Sequence, residues 1–366
     1  MERFVFNIAV VCAVAFALVM GLGFGHIKWE FADAFGSDPV VRAPAQQVAA
    51  RTYAAAGVHI EHAAARVVVI PEARQDISIE INNPGGVPTP AVSFEEGADK
   101  IEIDGQLRGR VRDCREDGVV LSGYGQLAAD QLPLITIHAP MAVDISVDSG
   151  STTQIGRAQS VEAAFGGCGA ATIADVAGPL KLSVGGSGRI TAGGARELDL
   201  ELGGSGEVRT GAIASGASVS MGGSGEVSLA SLTGDLRGQL GGSGTFTVQS
   251  GAIGRADIDM SGSGQTRLSA RVQQLSVDIA GSGGVSVDHG PTAEADLDVG
   301  GSGHVRLMGP VDTLRVSLAG SGDVSVDGVV RELDAEIAGS GTIRATEVTG
   351  NLRKEVFGSG RVIVDR

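Results

Sequence analysis

The chain is 366 residues long with a formal charge of −15, 57 glycines, three cysteines and only 4% aromatic residues. That length can bury a sizeable core. The acidic balance, with no long Lys/Arg run, argues against a general nucleic-acid binder, which needs phosphate neutralisation, and against adhesion to an anionic leaflet through charge alone.

From Phe4 to Ile27 the only non-apolar side chains are Asn7 and His26, a stretch long enough as a helix to cross a bilayer core. The sequence thus predicts a hydrophobic transmembrane or signal helix over residues 1–28. It reads as an uncleaved signal anchor, because Phe24-Gly25-His26-Ile27 offers no small-x-small cleavage site; a cleaved signal peptide and a buried soluble helix are the alternatives. The localisation that follows is export, membrane-anchored and facing the periplasm or cell exterior, or secreted or outer-envelope after cleavage. Residues 29–56 read as a flexible tether. Within it, Pro39 and Pro44 argue against one uninterrupted helix, leaving room for a short one around Gln46 to Tyr53.

Residues 57–141 hold strand-like runs without a regular period, such as Arg66-Val67-Val68-Val69-Ile70, Ile77-Ser78-Ile79-Glu80-Ile81 and Leu134-Ile135-Thr136-Ile137. They predict an irregular β region, either a divergent start of the regular part or a cap over its first rung, where exposed strand edges need cover.

Over residues 142–366 a phrase of alternating apolar residues, Gly-Ser-Gly and a second alternating run recurs about every 19 residues. Its central serines are Ser187, Ser205, Ser224, Ser243, Ser263, Ser282, Ser302, Ser321, Ser340 and Ser359, with Ser149 and Cys168 extending the register backward. Alternation with period two means strand, one face buried and one wet. A unit too short to bury its own apolar face must stack on its neighbours. The fold class predicted is all-β, a parallel β-helix (β-solenoid) of about 19 residues per coil, two-sided or three-sided. Thr266 is the exception among the apolar positions three residues after each serine.

The glycines fit a corner that needs positive φ or close backbone approach. The serines would form a structural column bonded to turn backbone, since ten equivalent copies without a recurrent His or Asp partner argue against catalysis. Cys114 and Cys168 either pair in one disulfide or remain thiols. Lys354 replaces an apolar residue and Phe357 a small one in the last repeat, as expected of a partly exposed rung open to end-to-end self-association.

The outward columns should carry the function. One is acidic, with Asp259, Asp278 and Asp298 on successive rungs about 5 Å apart; such like charges should raise a pKa or recruit a cation, so these three are the candidate metal ligands. The other column carries arginines, including Arg267, Arg306 and Arg344. A calcium-binding nonapeptide roll needs Asp where this chain has Val208, Val227 and Val305. No Gly-Lys-Ser/Thr follows the glycine phrase, so it is not a phosphate loop. His59, His62, His138, His289 and His304 have no metal-binding spacing by themselves.

The phrase Ala319-Gly320-Ser321-Gly322-Asp323-Val324-Ser325-Val326, preceded upstream by Leu134-Ile135-Thr136-Ile137-His138-Ala139-Pro140, resembles a bacterial family of unknown biochemical function described as putative autotransporter adhesin, head GIN domain. The resemblance spans about residues 57 to 366. It implies an exported, membrane- or surface-associated β-solenoid and brings no catalytic residue set. The reading is a non-catalytic cell-envelope solenoid presenting an adhesion or protein/glycan-binding surface, its partner an envelope protein or glycan, with no cofactor and no nucleic acid. A purely structural spacer is one alternative. A polysaccharide-cleaving enzyme using surface carboxylates is the other.

Overall fold

The computed structural model describes Val40 and residues 42–95, 97–115 and 118–365. Within 142–365 the chain winds as a parallel solenoid whose strands join one 27-stranded sheet. The alternating sequence sets each strand: in Pro179–Val184, Leu180, Leu182 and Val184 are buried while Pro179, Lys181 and Ser183 are exposed. One coil on, Leu198, Leu200 and Leu202 pair with those three in parallel register, and Ala217, Val219 and Met221 follow. A fully buried side chain of this kind contributes about 1.5–3 kcal/mol, so the in-register columns form one continuous core.

Each coil has two long ladders and one short one. Face A runs up to the Gly-Ser-Gly corner, as in residues 216–221, and face B leaves it, as in residues 226–229. A third, short ladder closes the coil, pairing Ile213 with Leu232, Ile253 with Val272 and Val311 with Val330. It contributes a single buried residue per coil.

At the corner the serine N–H donates to a glycine carbonyl one coil earlier, as in Ser243 to Gly223 (3.1 Å) and Ser321 to Gly301 (2.9 Å). A Cβ on Gly242 would overlap the carbonyl oxygen of Gly223, so only glycine lets successive corners stack.

The front part does not stack in chain order. It comprises β1 (Gln46–Tyr53), β2 (Gly57–Ala63), β3 (Arg66–Glu72), β4 (Ile77–Asn83), β5 (Ala91–Ser93), β6 (Lys100–Asp104), β7 (Val111–Arg115), β8 (Gly118–Leu121), β9 (Gly125–Ala128) and β10 (Leu134–Pro140). The regular coils then begin with β11 (Ala142–Ser149) and β12 (Thr152–Ile155). Strands β2 and β3 pair in parallel with β11 and β12, so they form the coil below. Strands β6 and β10, later in sequence, pair in parallel with β2 and β3 on their other sides and form the rung below that. The outer edges are covered by antiparallel strands: β5 on β6, β4 on β10 and β1 on β4. Between β6 and β10, strands β7 to β9 form an antiparallel meander over a second small core of Ala64, Val87, Leu107, Val119, Leu121 and Leu132.

Two expectations are corrected. Gln46–Tyr53 is neither tether nor helix but the strand β1, recruited because β4 has an open edge. The transmembrane or signal helix, with the membrane partner and membrane-anchored localisation drawn from it, is not supported: among the described residues no helix is long and apolar enough to cross a membrane. The segment on which it was placed, residues 1–28, lies outside the described residues.

In the last described rung Lys354 stands next to Ala335 in the inward column and Phe357 next to Ala338. Both are exposed, Phe357 by 63%.

Candidate functional site

All ten corner serines are exposed, and at every corner but that of Ser224 the serine main-chain N–H donates to a glycine carbonyl one coil earlier. The serines occupy equivalent corners of successive coils, and among the described residues the bonds found there between coils are backbone bonds.

Face A carries two central wet columns. The first runs Asp144, Glu162, Lys181, Asp199, Ser218, Arg237, Asp257, Ser276, Asp296, Arg315, Asp334, Arg353. Its opposite charges neighbour one another along much of its length. The second column places Asp259, Asp278 and Asp298 as consecutive register partners, and among the described residues none of the three makes a salt bridge.

Their carboxyl pKa values all rise. At Asp259 partial burial is the larger cause and repulsion from Asp257 adds to it, while Arg237 and a hydrogen bond with Gln239 act the other way. For Asp278 burial leads, and Asp298 and Asp259 push in the same direction with nothing opposing. Burial also leads at Asp298, followed by repulsion from Asp296, against a hydrogen bond with Ser317. The three form a row and not a cage: among the described residues, the only set of three His, Cys, Asp or Glu ligand atoms within 4.8 Å of one another is Glu61, His62 and Asp104.

Toward the front end of face A lies a shallow polar cleft of about 220 Å³, lined by Lys100, Asp144, Glu162, Lys181, Asp199 and Glu201 among others. It exists because the adjoining column holds the small residues Ser146, Ala164 and Ser183. Lys100 bridges to Asp144 across two rungs at 2.8 Å. Sequence reasoning missed this cleft, since Lys100 joins face A only through the out-of-order stacking of β6.

Three arginines of face B reach acids of the following coil, whereas Arg209 pairs with Glu207 of its own. Arg267 lies 3.7 Å from Asp288, Arg306 2.6 Å from Asp327 and Arg344 4.0 Å from Asp365, so these charges are balanced locally. Of the histidines, His138 Nδ1 lies 2.8 Å from Glu72 and His59 Nε2 3.9 Å from Asp148, whereas His62 joins Glu61 and Asp104.

Cys114 of the meander and Cys168 of the corner column form a disulfide, Cα atoms 5.6 Å apart. It ties the meander to the solenoid at the position that serine occupies in later coils. Disulfides persist in oxidising compartments.

The model of the family described as putative auto-transporter adhesin, head GIN domain, matches residues 171–291 and 269–365. No curated protein matches the chain. Among solved structures, the chain is similar to a putative lipid binding protein from Parabacteroides distasonis ATCC 8503, at 13% identity over 86% of this chain and 95% of that one, with a TM-score of 0.22.

Proposed function

Because the chain belongs to the putative auto-transporter adhesin, head GIN domain family, we propose that it is a non-catalytic solenoid that presents face A as a binding surface for an envelope protein or glycan. The observation that carries this is the asymmetry between the two faces. Face B balances Arg267, Arg306 and Arg344 against Asp288, Asp327 and Asp365, whereas on face A the row of Asp259, Asp278 and Asp298 has no salt bridge among the described residues and the cleft around Lys100 and Asp144 opens. Unneutralised carboxylates in a flat strip favour a partner of complementary charge, mainly by steering encounter and fixing register.

The row also argues against acid–base catalysis. Two carboxyl groups sharing such work need environments that push their pKa values apart, and here all three move the same way for the same leading reason.

The test is a binding screen of the full chain against envelope proteins and cell-wall glycans. A triple variant of face A (Asp259→Asn, Asp278→Asn, Asp298→Asn) and a double variant of face B (Arg267→Gln, Arg306→Gln) are run beside it. Binding lost only in the face A variant supports the proposal. Absence of any specific ligand leaves the spacer reading, and hydrolysis of a glycan abolished by Asp278→Asn would replace it with the enzyme.

A further inference from the structure

The geometry points to a zinc site made by Glu61, His62 and Asp104 at the first corner of the solenoid. Glu61 and Asp104 are direct register partners on β2 and β6, so their side chains share a face. Consecutive residues of a strand point to opposite faces, which would send the His62 ring away from both. Instead His62 has left-handed backbone, φ 48°, and its Nδ1 lies 3.5 Å from Glu61 Oε1 and 3.4 Å from Asp104 Oδ1. A tetrahedral ion with bonds of 2.0–2.1 Å holds its ligand atoms about 3.3–3.4 Å apart.

His62 Nδ1 is buried and has no hydrogen-bond partner among the described residues. A metal ion would satisfy that nitrogen together with both carboxylates. The surroundings hold the three ligands in place. The Gln106 N–H donates to Asp104 Oδ1 at 2.8 Å, Gly105 N–H to the Glu61 carbonyl and Leu107 N–H to the His62 carbonyl, each at 2.9 Å.

Strain collects at the same corner. The non-glycine residues with positive φ among those described are His62, Gln106 and Ser149. They lie at the ends of β2, β6 and β11, three successive rungs. Backbone of this kind persists where surrounding structure over-determines it and clusters at ligand sites. Imidazole beside two carboxylates suits zinc better than calcium or magnesium, which prefer all-oxygen shells.

The experiment is calorimetric titration of zinc chloride into metal-free full-length protein, with thermal melts in parallel. Wild type should bind a single zinc and melt higher with it. Asp104→Asn should weaken binding by at least about tenfold, as even lost supporting groups do. His62→Gly removes the ligand while suiting the left-handed backbone: the metal-free protein should melt no lower, and the zinc-induced shift should vanish. Asp278→Asn should bind zinc as wild type does. Failure of wild type to bind zinc, binding that survives His62→Gly, or equally tight calcium binding would overturn the site.

Discussion

Ile258 leans into the space that Gly238 leaves in the core, and Phe246 packs beside it. Gly238 stands at an inward position between Val219 and Ile258, and a Cβ placed on it would lie 3.9 Å from Phe246 Cε1 and 2.9 Å from Ile258 Cδ1. Phe246 is the largest of the fully buried side chains. Phe246→Val should cost about 3 kcal/mol through the cavity, and Gly238→Val about 1–3 kcal/mol through crowding. The double variant should recover at least about 1 kcal/mol of their sum, and urea unfolding of the four proteins measures it.

Thr266 follows Phe246 in the same column, is 2% exposed, and its hydroxyl donates to Met260 Sδ at 4.0 Å. Sulfur is a weak acceptor, so the hydroxyl recovers little of its desolvation cost. Thr266→Val should raise stability by up to about 1 kcal/mol, seen as a higher urea midpoint at unchanged slope.

The corner separates backbone from side-chain demands. Gly242→Ala drives a Cβ into the Gly223 carbonyl and should cost more than about 2 kcal/mol. Ser243→Ala, at the exposed neighbour, should stay within about 0.5 kcal/mol. Thermal melts of the two variants distinguish a backbone corner from a hydroxyl ladder, which would reverse the order.

Asp259, Asp278 and Asp298 all have raised pKa values, so each binds its proton more readily folded than unfolded. Their ionisation therefore opposes folding, and their contribution worsens as pH rises from the ordinary aspartate value near ~3.9 through the raised ones. Asp278→Asn should raise the melting temperature at neutral pH and have no effect once both states are protonated. The gain should be below about 1 kcal/mol because solvent screens the row. Melts of both proteins across the acid range check the direction.

The Cys114–Cys168 disulfide closes a separation of 54 residues. Replacing both cysteines with serine should cost about 2–4 kcal/mol. Hydrogen exchange should show the loss first in the meander, β7 to β9, with coils beyond residue 190 keeping their protection.

The sequence by itself determined the regular coils. Alternation in stretches such as Leu275-Ser276-Val277-Asp278-Ile279, repeated at about 19 residues, leaves a stacked parallel solenoid as the way to bury every apolar face. It also gave the adjacency of Asp259, Asp278 and Asp298, because in-register stacking turns sequence spacing into spatial neighbours. What it could not supply depends on contacts between segments without a shared period.

Only the tertiary structure placed β6 and β10 beneath β2 and β3, brought Lys100 to Asp144, joined Cys114 to Cys168 and recruited β1 as an edge strand. It also set burial above mutual repulsion as the leading cause of the raised aspartate pKa values. The cluster of Glu61, His62 and Asp104 belongs to this second group. Its members come from strands whose register partners Glu61 and Asp104 lie 43 residues apart in sequence, and it needs a left-handed backbone at His62 that no local pattern of residues encodes. A repeat dictates geometry through periodicity; where the period breaks, packing and strand-edge satisfaction decide which residues meet.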